Sequence, residues 1–203
     1  MKKLFVSMIA LAVAATAFAQ LPKGLSVGAG LADVTKHSET TIPGYGSASD
    51  NSGMSGFYVN ADLNMPIAAV EGLAFAPGVY LDRVADDGSK EINLGIPVMF
   101  NYGFQIADIL KLSPYAGPIV QLGLISKKDN GDSMYEKGAF GPDVNYSRLQ
   151  LFLGLGVALD ISEIVRVSVG YDYGLLKRIN YNDNGMKLSI TESGLHFGVA
   201  YLF

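Results

Sequence analysis

Hydrophobic and polar residues alternate along most of this chain with a period of two. The end of the chain displays it plainly: Leu195, Phe197, Val199, Tyr201 and Phe203 alternate with Gly194, His196, Gly198 and Ala200. Successive side chains of a strand point to opposite faces, so the pattern predicts a strand with one large apolar face and one small or polar face. It recurs over residues 25–34, 56–65, 73–82, 91–104, 114–126, 147–161 and 165–175. In residues 56–65, for example, Phe57, Val59, Ala61, Leu63 and Met65 alternate with Tyr58, Asn60, Asp62 and Asn64. The last strand begins near Lys187. There Leu188 and Ile190 fall out of phase with the final run, which predicts a bulge near residues 191–193.

The expectation is eight strands whose connections alternate in length. Long or polar stretches follow strands one, three, five and seven: residues 36–55, the Asp86-Asp87-Gly88-Ser89 turn, 127–146 and 180–185. Short connections follow strands two, four and six, the last a tight turn at Ser162-Glu163. Short turns on one side and longer loops on the other are the asymmetry of transmembrane barrels. The fold class expected is therefore all-β: an eight-stranded antiparallel up-and-down transmembrane β-barrel with both termini periplasmic. Aromatic girdles agree, with Phe75, Tyr102, Phe104, Tyr115, Tyr201 and Phe203 expected at the inner edge. Phe57, Tyr171 and Tyr173 are expected toward the outer edge.

A lipocalin-type soluble barrel would use the same alternation with its faces inverted. An eight-stranded barrel has an interior only just wide enough for side chains. Small and polar residues fit that interior better than the Leu, Val, Ile, Phe and Tyr of the other face, so the apolar face is assigned to lipid.

The beginning of the chain fits this destination. Met1-Lys2-Lys3 precedes an apolar run to Phe18, and Ala17-Phe18-Ala19 precedes Gln20. A basic start, a short apolar core and an Ala-x-Ala site predict a cleaved signal peptide over residues 1–19. The run is shorter than the roughly 20 residues a spanning helix needs. Residues 20–203 form the expected barrel domain, and no later segment offers the unbroken apolar run of a membrane helix. Losing Lys2 and Lys3 from 15 basic residues leaves 13 against 19 acids, a net charge of −6. An acidic chain without a basic run argues against nucleic acid as a partner. With no Cys, thiol catalysis, thiolate metal sites and disulfides are excluded.

Three stretches carry a family resemblance. Leu94-Gly-Ile-Pro-Val-Met-Phe100 with Tyr102-Gly-Phe104 resembles the Ile-Pro strand of the Bacteroidetes outer-membrane β-barrel family called PorT-like. Pro114-Tyr-Ala-Gly-Pro118 resembles a shortened form of that family's next strand start. Gly154, Gly156 and Asp160 are similar to a later strand. The resemblance implies a secreted barrel of about eight strands and no catalytic residues. The secretion-system link in the family's name is not carried over to this chain.

Candidate chemistry is sparse. His196 is expected to face the lumen with Glu192 nearby, and the following residues are Phe197-Gly198 rather than the His-x-Ser of lipid-facing deacylases. A hydrogen-bonded luminal His is the reading adopted. Arg148, Arg166, Asp62, Asp82, Asp160, Asp172 and Glu91 also belong to inward faces, and an unpaired buried charge is costly, so they should pair. Arg166 and Asp172 lie about 20 Å apart along one strand, so their partners belong to neighbouring strands. Asp50, Asp86, Asp87, Asp129, Asp132 and Asp183 crowd the outer side as a solvated acidic surface. No catalytic, cofactor or metal residues are assigned. The expected partners are outer-membrane lipid and lipopolysaccharide, the barrel-assembly machinery through the strand ending at Phe203, and a surface partner through residues 36–55 and 127–146. Tyr45, Tyr135, Phe140 and Tyr181 would serve as anchors there. A structural or surface-interaction barrel is the leading function, a narrow channel the second and a lipid-modifying enzyme the third.

Overall fold

The computed structural model describes residues 23–203 apart from 137, 142, 143 and 184. The expected signal segment, residues 1–19, lies outside the described residues. The long strands are β1 (Leu25–Ile42), β2 (Gly46–Leu63), β3 (Leu73–Ala85), β4 (Ser89–Tyr102), β5 (Leu110–Lys128), β6 (Leu149–Ile161), β7 (Val165–Asp183) and β8 (Met186–Leu202). Each pairs antiparallel with the next, and β8 returns to β1 through a ladder from Ser26↔Leu202 to Thr41↔Lys187. The sheet is thus a closed eight-stranded barrel, as the alternation predicts. Two short strands, Met65–Pro66 and Phe104–Ala107, lie in the connections at the end that carries both termini. Closure satisfies every strand edge within the wall, the condition for a sheet to cross a bilayer.

The faces follow the pattern residue by residue. Leu31, Phe57, Ile96, Leu155, Leu195 and Phe197 lie with about half of their surface exposed or more, and they point out of the wall. Ser26, Asp82, Glu91, Asn93, Gln121, Gln150, Asp160 and Asp172 are buried on the opposite face, in the lumen. A water-soluble domain does not expose an apolar surface of this extent. A lipid-facing band does.

Two expectations about connections are corrected. Residues 36–55 are not a loop: β1 and β2 continue as a paired ladder to Ile42↔Gly46 and turn through 43–45. Residues 180–183 likewise extend β7, with Lys187↔Asn182 and Met186↔Asp183 still paired. Between His37 and Gly53 and over residues 180–183 no side chain is buried, so nothing there imposes alternation. Only 129–148 is a long connection at that end, which is called the mouth below. The Ser162-Glu163 turn is as tight as expected, with φ of 53° and 55° at the two residues. Positive φ at both central positions is the type I′ geometry that suits the twist of a hairpin.

The expected bulge is present, but on the partner strand. Thr191 pairs with Lys177 and Ser193 with Tyr173, so the extra residues lie in β7. Leu175 and Leu176 are consequently both exposed. On β8, Leu188 and Ile190 keep the inward phase of Glu192 and His196. They are apolar because the interior itself becomes apolar at the mouth, where they pack against Met134, Val144, Tyr146 and Ile179.

Below the mouth the lumen is filled by tyrosines set over glycines. A Cβ on Gly95 would collide with the Tyr80 ring, one on Gly156 or Gly170 with Tyr115, and one on Gly198 with Tyr58. These glycines let the rings lie flat on the backbone of neighbouring strands. Tyr115 is therefore a luminal residue and not part of the inner girdle, because even-numbered neighbours on its strand face lipid. Its hydroxyl donates to the Val169 carbonyl at 3.3 Å. The girdle rings that remain are paired: Phe75 with Phe100 at 5.4 Å, Tyr102 with Phe104 at 4.9 Å and Tyr201 with Phe203 at 4.7 Å.

Candidate functional site: the closed mouth of the lumen

Four charged side chains from four strands meet where the barrel opens toward the long connection. Lys36 projects from β1, Glu91 from β4, Arg178 from β7 and Glu192 from β8. Lys36 Nζ lies 2.7 Å from Glu91 Oε1 and 3.8 Å from Glu192 Oε1. Arg178 Nε lies 2.7 Å from Glu192 Oε2, and Arg178 Nη2 lies 3.7 Å from Glu91 Oε2. Two cations face two carboxylates, so the cluster has no net charge. The Arg178, Glu91 and Glu192 side chains are almost fully buried, at 1 %, 2 % and 2 % exposure.

Burial at this level requires that every polar atom be satisfied. Glu91 Oε1 also accepts hydrogen bonds from Tyr146 Oη at 2.8 Å and Ser126 Oγ at 2.9 Å. Arg178 donates further to Gln121 Oε1 at 3.2 Å and to the Ser147 carbonyl at 3.1 Å. The Tyr146 ring sits 5.6 Å from both Lys36 Nζ and the Arg178 guanidinium. Removing one member would strand a desolvated partner, a loss of about 3–5 kcal/mol in comparable buried pairs.

The 129–148 connection covers this cluster. Met134, Val144 and Tyr146 pack with Ile179, and Tyr135, Phe140, Tyr181, Leu188 and Ile190 surround them. Phe140 stacks on Tyr146 at 5.5 Å, while Lys128 Nζ lies 4.9 Å over Phe140. An apolar lid thus rests on a neutral charge network at the mouth.

Beneath them lies a cavity of about 170 Å³, lined among others by Tyr58, Asp62, Met99, Phe152, Asp172 and His196. Here the sequence-predicted luminal charges find their partners. Arg166 holds Asp160 on the adjacent strand through two bonds, Nε to Oδ1 at 2.6 Å and Nη2 to Oδ2 at 2.9 Å. His196 Nε2 lies 2.8 Å from Asp172 Oδ2, with the Tyr58 ring edge-on at 6.0 Å. Asp82 accepts from Asn93 and Gln121, at 2.8 and 3.2 Å. Asp62 accepts from Ser26 and Asn60.

Arg148 departs from its expected inward place. It is exposed at the rim, donates to the Gly123 and Leu124 carbonyls at 3.3 Å each, and covers the Tyr135 ring at 4.0 Å. The chain breaks out of the wall just before β6, so the alternation no longer fixes its direction. The acidic residues of the hairpins stay dispersed. Among the described residues no group of three His, Asp or Glu side chains converges to hold a metal ion. Tyr45 is 91 % exposed at the tip of the β1–β2 hairpin. Tyr135, Phe140 and Tyr181, by contrast, are part of the lid.

Sequence reasoning missed Lys36 and Arg178. Lys36 continues the even-numbered inward series Ser26, Gly28, Gly30, Ala32 and Val34, which was the available signal. Arg178 follows Leu175-Leu176, whose interruption of the period marks the bulge that turns it inward.

Among solved structures the chain resembles neisserial surface protein A (NspA) at 20% identity and a TM-score of 0.48, covering 89% of this chain and 98% of that one. OprG from Pseudomonas aeruginosa gives 13% identity and a TM-score of 0.49, over 89% and 96%. Ail, the attachment invasion locus protein of Yersinia pestis, gives 12% identity and a TM-score of 0.37, over 90% and 100%. Among curated proteins none matches the chain. The family model named outer membrane protein beta-barrel domain matches residues 4–203, and the chain accordingly belongs to that family of outer-membrane barrels.

Proposed function

We propose that this protein is a closed outer-membrane barrel that acts as a structural or surface-interaction protein through its mouth-end hairpins, and that it is not an enzyme. The observation that supports the reading is the Lys36–Glu91–Arg178–Glu192 network under its apolar lid at the mouth of the lumen. In this reading residues 1–19 are a signal peptide, residues 20–203 the barrel, and both termini face the periplasm. The projecting β1–β2 and β7–β8 hairpins and the 129–148 lid then face outward, toward lipopolysaccharide and a surface partner. The strand ending at Phe203 meets the barrel-assembly machinery. The order of the Ile-Pro, Pro-Tyr and Gly-x-Gly motifs supports a place among the PorT-like Bacteroidetes barrels.

His196 supports the non-enzymatic reading. It engages Asp172 inside the lumen, away from lipid, and no Ser follows it at the spacing a lipid deacylase would use. A narrow channel is the second reading, favoured by the cavity below the network. Single-channel recording in planar bilayers separates the two. The closed reading expects no steady openings from the native protein; reproducible openings would replace it with the channel.

A further inference from the structure

The cavity below the mouth network is short of positive charge. Asp62, Asp82 and Asp172 all line it, Asp82 and Asp172 buried and Asp62 half-buried. Asp62 is held by Ser26 and Asn60, and Asp82 by Asn93 and Gln121, all of them neutral donors. Asp172 has His196 as its one ion-pair partner among the described residues. The other lining charges are engaged elsewhere: Arg166 with Asp160, and Glu91 and Glu192 with Lys36 and Arg178. Three carboxylates are therefore left to one imidazole. Ionisable groups at membrane depth pair with one another or mark the place of a ligand.

Two further polar atoms point to an occupant. Ser113 Oγ and Asn93 Oδ1 line the same cavity, and each residue is only 2 % exposed. Neither atom has a hydrogen-bond partner among the described residues. A buried polar atom left in this way is costly, and an amide oxygen can only accept. The wall thus calls for a donor. It also offers aromatic surface: Tyr58, Tyr80 and Tyr115 lie over glycines of the wall, which leaves one face of each ring toward the lumen. Ring faces attract cations.

We propose that this luminal cavity binds a small organic ammonium ion, with Asp62, Asp82 and Asp172 as its counter-charges, Asn93 Oδ1 as an acceptor and the tyrosine rings as its apolar bed. The site goes beyond the surface-interaction reading and does not depend on it. Size sets the class of ligand. The cavity measures about 170 Å³, and one of about 150 Å³ holds a single benzene. A ring or short chain carrying one amino group fills such a space. A metal ion fits it worse, because no three acidic or imidazole groups converge among the described residues. Carboxylates spread around the wall suit an ion whose charge sits at one end of an apolar body.

The test is calorimetric titration of the full barrel in nanodiscs of zwitterionic lipid, with empty discs subtracted. The probes are cyclohexylammonium chloride, its neutral counterpart cyclohexanol, and potassium chloride. Cyclohexylammonium should bind saturably and cyclohexanol should not. Asp82→Asn keeps the shape of the side chain and should weaken binding about tenfold or more, the loss of one charged contact. Gly194→Leu should abolish it by filling the space. Gly194 lines the cavity, and a Cβ there meets nothing nearer than 3.6 Å, so the added side chain enters without a clash in the wall. The heat-dependent gel shift verifies that each variant is an intact barrel, and Asp62→Asn replaces Asp82→Asn if the latter does not assemble. Equal binding of cyclohexanol would reduce the site to an apolar hole, and displacement by equimolar potassium would make it an inorganic-ion site. Binding untouched by either substitution would place the probe elsewhere, and no binding would leave the cavity to water. Each of these four results would overturn the proposal.

Discussion

Lys36 and Glu91 form a 2.7 Å ion pair although they stand on β1 and β4, strands that are not neighbours in the wall. The pair reaches across the lumen, and Arg178–Glu192 completes it from β7 and β8. Truncation of a single member should therefore cost far more than an exposed ion pair would. Arg178→Met is expected to lower stability by about 3–5 kcal/mol, because two buried carboxylates, Glu192 and Glu91, are then left to share the single cation Lys36. Urea unfolding in lipid vesicles, followed by the gel shift, measures it. Pairing Lys36→Met with Glu91→Gln should cost clearly less than the sum of the two single changes.

Tyr80 and Gly95 offer a cleaner packing test. The only atoms that a Cβ on Gly95 meets among its three nearest are those of the Tyr80 ring and hydroxyl. Gly95→Ala should destabilise by about 1–3 kcal/mol through overpacking. In a Tyr80→Leu background the same substitution should cost little. Additive costs in the double-mutant cycle would show that the ring and the glycine are not coupled.

The mouth-end hairpin carries a pH dependence. His37 Nδ1 lies 2.6 Å from Asn51 Oδ1 and Nε2 lies 3.3 Å from Glu39 Oε1. Both nitrogens donate together only when the ring is protonated. The Asn51 contact first, and then Glu39, hold the His37 pKa above its ordinary 6.5. A raised folded value means that the stabilisation is complete below the unfolded pKa and is lost as pH rises through the folded one. An NMR titration should find the His37 midpoint above 6.5, and Asn51→Ala should bring it down. Amide exchange between residues 37 and 51 should quicken over the same interval.

Phe203 is tied into the wall by its backbone. Its N–H donates to the Leu25 carbonyl at 2.8 Å, and its carbonyl accepts from Gly24 at 3.1 Å. Its ring also packs edge-on against Tyr201. Deleting Phe203 should reduce the amount of protein reaching the membrane more than the stability of the fraction that assembles. Membrane-fraction blots against unfolding midpoints compare the two, and normal accumulation would contradict the expectation.

What could be read from the sequence follows the surroundings of each strand. Where lipid meets one face and a narrow lumen the other, as at Phe57–Val59 against Tyr58–Asn60, the alternation is forced and the assignment of faces holds along the whole wall. From His37 to Gly53 no side chain is buried, so Ser, Thr, Asn and Gly serve equally well in strand or loop. The charge network was half visible: Glu91 keeps strict phase on β4, whereas Arg178 is turned inward by a bulge that sequence located on the wrong strand of the pair. Its partners across the lumen were beyond reach, because contacts between strands three places apart leave no mark in local periodicity.

The network has members on both sides of the β1–β8 junction, Lys36 on one and Glu192 on the other. That junction is the last to form in a sheet laid down strand by strand. Before it closes, Arg178 and Glu192 on adjacent strands can already pair, but Lys36 and Glu91 stand three strands apart on an open sheet. Full neutralisation of the four is available only to the finished cylinder, so the cluster rewards completion rather than any intermediate. The order of assembly is in this sense written into the interior: the mouth cannot seal until the first strand has found the last.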